Sequence, residues 1–133
     1  MGSVFPANAA PGGKPWEAAM VVNWQEMLGE AVKALGALAK GNPAIMDGYK
    51  AIDASGSALG ALDAKTRELI SLAVAATTRC DTCIAVHAQA ASEAGASRAE
   101  LLEALGVAIS LNSGAALVYS SRILEAFDAL AKK

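Results

Sequence analysis

From Glu17 onward, apolar residues recur at spacings of three and four: Val21, Trp24, Leu28, Ala31, Leu35 and Leu38 fall on one stripe. That period predicts an amphipathic helix. Gly41-Asn42-Pro43 ends it, with the glycine as C-cap, Asn42 as N-cap of a second helix and Pro43 at its first position. This second helix is short, carries Ile45, Tyr49 and Ile52 on one face, and runs out at Ser55-Gly56-Ser57 and Gly60. Asp63 caps a third helix that begins near Ala64 and holds Glu68, Leu69, Leu72 and Val74. Thr77 and Thr78 stand where they would cap a fourth, placing Cys80 in or near its first turn; Gly95 stops it after about Ala94. Ser97-Arg98-Ala99-Glu100 reads as a capping box, and Leu101, Leu105, Ala108 and Ile109 continue its helix. Asn112-Ser113-Gly114 reads as an interruption before a last helix with Leu117, Val118, Ile123, Leu124, Phe127 and Leu130. No stretch alternates as a strand does. The pattern predicts one all-α domain of about six helices over residues 16–133, preceded by a flexible arm, residues 1–15, with prolines and glycines and no period.

Composition changes this picture in one respect. Hydrophobic residues make up 54% of the 133 and aromatics only 5%, much of the apolar content being alanine. Alanine buries little area, so helices packed through it gain less than leucine pairs, and the subunit is expected to need neighbours of its own kind. The two tryptophans, Trp16 and Trp24, read as core or subunit-interface anchors rather than ligand-stacking groups.

Charge excludes some partners. Eleven basic and thirteen acidic residues leave a net charge of −2 with no run of one sign, so no footprint for nucleic acid or anionic lipid is expected. The N-terminus lacks a basic segment followed by an apolar core, and the apolar stretches, broken by Glu103, Asn112 or Ser113, fall short of a membrane span. A cytoplasmic protein that does not enter membranes is expected. In that reducing compartment a Cys-x-x-Cys pair is more often catalytic, redox-active or metal-binding than a structural staple.

The chemistry concentrates between Glu68 and His87. This stretch holds both cysteines, Cys80 and Cys83, and the single histidine, spaced Glu-x11-Cys-x2-Cys-x3-His. Positions i, i+3 and i+7 share a helix face, so Cys80, Cys83 and His87 form one polar stripe. A thiol becomes a nucleophile on losing its proton, and a helix N-terminus favours the anion. His87, one turn beyond Cys83, is placed to take the proton. Glu68, if its helix packs antiparallel, reaches the far ring nitrogen and sets the tautomer. Cys80 is close enough to Cys83 to close a disulfide. Plainer readings stand beside this one: Glu68 as a solvated carboxylate, His87 as a hydrogen-bonded structural residue, or the same four side chains as zinc ligands.

With these residues in hand, the chain resembles the alkylhydroperoxidase D-like branch of the carboxymuconolactone decarboxylase superfamily. The likeness lies in the Glu68, Cys80, Cys83, His87 signature and extends through Cys83-Ile84-Ala85-Val86-His87, Glu93-Ala94-Gly95-Ala96 and Leu111-Asn112-Ser113-Gly114-Ala115-Ala116, covering Leu62 to Leu130. It implies a compact helical domain that assembles into trimers or hexamers. It also implies a peroxidatic Cys83, a resolving Cys80 that forms a redox disulfide with it, and proton relay by Glu68 and His87. The implied substrate is a small hydroperoxide, with no bound cofactor or metal; electrons come from an external dithiol reductant of the lipoyl or thioredoxin-like kind, or a redox-carrier protein. Well-studied peroxidases of this branch often carry a histidine between the cysteines, where this chain has Asp81-Thr82. Asp81 puts a negative charge beside the thiols, which raises a thiolate pKa. The superfamily's other activity, lactone decarboxylation, needs no cysteine pair, and a non-catalytic thiol sensor or metal-binding scaffold is the third reading.

Overall fold

The structure is a computed structural model and describes residues 22–131. The expected arm, Trp16, and the start of the first helix with Val21 lie outside the described residues. Within them the chain is all-α, with five helices. Helix α1 is Trp24–Gly41, α2 Pro43–Ser57, α3 Ala64–Thr78, α4 Asp81–Glu93 and α5 Arg98–Leu130.

Most boundaries rest on a side chain that meets an orphan backbone group. Asn23 accepts from the Glu26 N–H at 3.2 Å, and Asp63 from the Thr66 N–H at 2.7 Å. Ser97 and Glu100 complete the capping box in both directions. Gly95 takes a φ of +79°, and the Ala96 N–H returns to the Ala91 carbonyl at 2.9 Å, as a glycine-terminated helix end requires. Asn42 behaves differently from expectation. Gly41 is still helical, and the Asn42 side chain makes no capping bond, so the α1–α2 corner turns on the missing N–H and fixed φ of Pro43.

Two further expectations are corrected. Thr78 does not cap α4: it is the last residue of α3, and the hydroxyls of Thr77 and Thr78 donate back to the Val74 carbonyl. The cap of α4 is Cys80 itself. Nor is there a break at Asn112-Ser113-Gly114. Helix α5 runs on through 33 residues, so the expected last two helices are one and the number is five rather than six. The Asn112 side chain donates to the Ala108 carbonyl one turn back, which keeps it inside the helix. A helix already nucleated gains a hydrogen bond for every residue it adds, against a glycine cost of about 1 kcal/mol. The uninterrupted α5 is also long and apolar enough, by length and composition, to cross a membrane, contrary to the expectation that the apolar stretches fall short.

Packing places the helices in a row, α2 against α1, α1 against α4, α4 against α3 and α3 against α5. Such a row has no enclosed centre. Among the described residues the buried apolar ones are Ala31, Leu72, Ala75, Ala85, Ala91 and Ala108, and no side chain is fully buried. The α3–α4 pair sits in the middle and carries four of these six. Lys65 bridges α3 to α5 through Glu100 at 2.6 Å.

Candidate active site

Helices α3 and α4 are joined by only Arg79 and Cys80. Arg79 lies in the left-handed region, φ 55° and ψ 45°, and its N–H and that of Cys80 both return to the Ala75 carbonyl. The chain therefore reverses sharply and α4 runs back antiparallel along α3. That reversal brings Glu68, in the first half of α3, opposite His87, midway along α4. The His87 Nδ1 stands 2.7 Å from the Glu68 carboxylate. A carboxylate accepts and does not donate, so Nδ1 carries the hydrogen and donates it, leaving Nε2 as the proton acceptor. The side chains are 30% and 23% exposed, so the pair is half-shielded from water and its geometry is held by packing from both helices.

Cys80 is the N-cap of α4 and its Sγ accepts from the Cys83 N–H at 3.2 Å. A cysteine here takes the place a serine commonly holds, with sulfur as the acceptor. Cys83 is in the first turn, so both sulfurs sit at the positive end of the α4 macrodipole, where free N–H groups favour a thiolate. In this structure they are joined as a Cys80–Cys83 disulfide. Asp81 opens the same turn and is exposed, so solvent screens its charge. Cys83 and His87 line one cavity of about 250 Å³, walled by Ile70, Val74, Ala75 and Thr78 of α3.

The sequence profile of the carboxymuconolactone decarboxylase family matches residues 43–126. The chain belongs to that family. An uncharacterized protein of Haemophilus influenzae is 50% identical over 109 residues, which is 82% of this chain and 96% of that protein. One from Cupriavidus necator is 32% identical over 84% of this chain and 98% of its own length. Among solved structures, the apo crystal structure of a carboxymuconolactone decarboxylase family protein from Legionella pneumophila superposes with a TM-score of 0.64 at 35% identity, covering 82% of this chain and 97% of that one. The family match takes in α2, which lies ahead of the likeness noted from Leu62 onward.

In this family member the four residues singled out from sequence are linked in series along the α3–α4 pair: Glu68 pairs with His87, His87 shares a cavity with Cys83, and Cys83 is bonded to Cys80. The residues missed are the opposite wall. Ser71, Ala75 and Thr78 follow Glu68 at spacings of three and four on the same face of α3, and that period was the available signal. Ser71 lines the Cys83 cavity and also a second one of about 420 Å³ on the far side of His87, shared with Glu68, Arg67 and Asp53 of α2. No sequence signal links Asp53 to that cavity, since it comes from a separate helix, α2.

Proposed function

We infer that the protein is a thiol-dependent oxidoreductase that reduces a small organic hydroperoxide, or a partner disulfide, through the Cys80–Cys83 pair. The observation that carries this reading is that His87, hydrogen-bonded to Glu68, lines the same cavity as Cys83. His87 Nε2 takes the Cys83 proton, with the imidazolium stabilised by Glu68 through Nδ1. The Cys83 thiolate attacks the terminal oxygen of the hydroperoxide. The O–O bond breaks, the alkoxide leaves as alcohol with the proton from His87, and Cys83 becomes a sulfenic acid. The Cys80 thiolate then attacks the Cys83 sulfur, hydroxide leaves as water, and the disulfide forms. An external dithiol reduces that disulfide and is itself oxidised, so two thiols and one hydroperoxide give one disulfide, one alcohol and one water. The disulfide in the structure corresponds to the end of this half-cycle. A cytoplasmic setting supplies the reducing poise that returns the pair to thiols. A lipoyl-type or thioredoxin-like dithiol suits the final exchange.

The family's name denotes decarboxylation, a chemistry that has no use for paired thiols. It survives alkylation of both cysteines, whereas the activity inferred here does not. The direct test uses Cys80→Ser protein, in which an oxidised Cys83 cannot be resolved. One equivalent of cumene hydroperoxide is added with a sulfenate-trapping dione and the adduct mass is read. An adduct forming on Cys83 within the mixing time supports the reading. A folded protein that gives none overturns peroxide reduction and leaves disulfide exchange as the activity.

A further inference from the structure

The cavity that holds Cys83 and His87 is mostly aliphatic, walled by Ile70, Val74 and Ala75, and its hydroxyls come from Ser71 and Thr78. Both are tied to the backbone one turn back on α3. Ser71 donates to the Arg67 carbonyl at 3.0 Å, and Thr78 to the Val74 carbonyl at 3.1 Å. A hydroxyl whose hydrogen is spent in this way offers a further partner only its lone pairs. To a molecule in the cavity, these two oxygens are therefore acceptors.

Their places along α3 differ. Ser71 lies one helical turn from Glu68 toward the reversal at Arg79-Cys80, and Cys83 lies about one turn from His87 toward the same reversal. Because Glu68 pairs with His87 across antiparallel helices, Ser71 comes level with the stretch of α4 between His87 and Cys83. Thr78 is the last residue of α3, about two turns further on and beside the reversal.

A hydroperoxide carries a donor at one end of its O–O bond only. The terminal oxygen bears the hydrogen and the inner oxygen bears the carbon. When a thiolate attacks the terminal oxygen, a sulfur electron pair forms the S–O bond and the O–O pair departs on the inner oxygen. The terminal oxygen keeps its hydrogen, so R–O–O–H and thiolate give S–O–H and alkoxide, and the alkoxide takes its proton from the His87 Nε2–H. Correct orientation thus calls for an acceptor at the terminal oxygen and an N–H at the inner one.

We propose that Ser71 is the substrate-orienting residue of this site. Its oxygen accepts from the terminal O–H of the hydroperoxide and, with His87 at the inner oxygen, turns the terminal oxygen toward the Cys83 sulfur. The same hydrogen bond persists in the sulfenic acid. The proposal rests on the hydroperoxide reading given above. It restricts the favoured oxidants to those with an O–H on the atom attacked, and a disulfide gains nothing from Ser71.

The test uses the reduced full-length Cys80→Ser protein, in which Cys83 is the single thiol, with further changes at Ser71 or Thr78. Two reactions of Cys83 are timed at one pH: sulfenate formation with cumene hydroperoxide and mixed-disulfide formation with dithiodipyridine. Ser71→Ala is expected to slow the first about tenfold, the worth of one lost acceptor, and to leave the second within about twofold. Thr78→Val leaves both rates unchanged. A Ser71→Ala protein with an undiminished hydroperoxide rate overturns the proposal. So does an equal slowing of both reactions, which assigns the effect to the thiol, or a selective loss in Thr78→Val instead. Should Ser71→Ala lose its helical circular dichroism, Ser71→Thr and Ser71→Val form a pair alike in shape that differs in the hydroxyl. The threonine protein is expected to react with hydroperoxide about tenfold faster than the valine protein, and equal rates overturn the proposal. A Cys80→Ser parent that forms no sulfenate overturns the hydroperoxide reading together with the proposal, whereas sulfenate in the parent with no loss in Ser71→Ala overturns the proposal alone.

Discussion

The α3–α4 pair and the C-terminal half of α5 are both helical, yet they are held by different forces. In the pair, a two-residue reversal at Arg79-Cys80 sets antiparallel packing, four alanine and leucine side chains are buried, and the polar contact between Glu68 and His87 spans nineteen positions. In α5 beyond Ala108 nothing is buried, and the helix stands on its capping box and its own ladder of hydrogen bonds. The contrast separates two properties often treated as one. Secondary structure needs caps and propensity, whereas chemistry needs a tertiary contact that aims one side chain at another.

The largest effect expected inside the pair is chemical. On the proposed relay His87→Gln removes the proton acceptor, and hydroperoxide turnover is expected to fall by about 10²- to 10⁴-fold. Alkylation of reduced Cys83 moves to higher pH in the same variant. An alkylation-against-pH curve identical to wild type would dismiss the relay and reduce His87 to a structural role.

Stability then distinguishes the two regions. Leu72→Ala opens a gap at the largest side chain of the buried set and is expected to cost about 2–4 kcal/mol at any protein concentration, read by urea unfolding. Leu124→Ala, on the exposed stretch of α5, is expected to cost less than about 0.5 kcal/mol in the dilute subunit and to show itself only where copies associate. Equal, concentration-independent losses at the two sites would erase the distinction.

A smaller effect, of opposite sign, belongs to the reversal. Arg79 occupies a left-handed conformation that glycine adopts without a Cβ clash, so Arg79→Gly is expected to raise stability by roughly 0.5–1 kcal/mol. Thermal unfolding of the oxidised protein checks it, and a loss would show that the Arg79 side chain has contacts outweighing the strain.

Smallest is the acid edge. Glu100 is held down to about 2 from 4.5 by its hydrogen bond from Lys65 and by those from Ser97 at the start of α5. A lowered folded-state value means that the contribution is present above pH 4.5 and is lost as pH falls through about 2. Lys65, raised by the same contact, keeps its share up to 10.5 and loses it above. Both side chains are more than a third exposed, so solvent screens the pair, the effect is modest and salt weakens it. Wild type is expected to lose stability between pH 4.5 and 2 slightly faster than Glu100→Gln, measured at low ionic strength. Parallel curves would mean that the α3–α5 bridge carries no weight.

Signals confined to a few neighbouring residues were legible in the sequence. The capping box at Ser97, the Asp63 cap, the Gly95 stop and the Cys-x-x-Cys-x3-His stripe each depend on contacts three or four positions apart. Where a local signal competed with helix propagation it misled: Asn112-Ser113-Gly114 carries breaker residues but no positive φ, and the helix absorbs them. At Cys80 the misreading was of role, because a sulfur does the capping that the preceding threonines were expected to do.

The sequence by itself determined that this chain is helical, where most of its helices begin and end, and which four residues are the candidates for its chemistry. Those are matters of period, caps and spacing, each settled within a turn or two of helix. Only the tertiary structure decided that Glu68 faces His87 and that α3 supplies the opposite wall of the Cys83 cavity. It also decided that the apolar face of α5 is left without a partner in its own subunit. Those contacts join residues many turns apart, and their pairing depends on the angle of one reversal and the order of helices in the row, which no local pattern encodes.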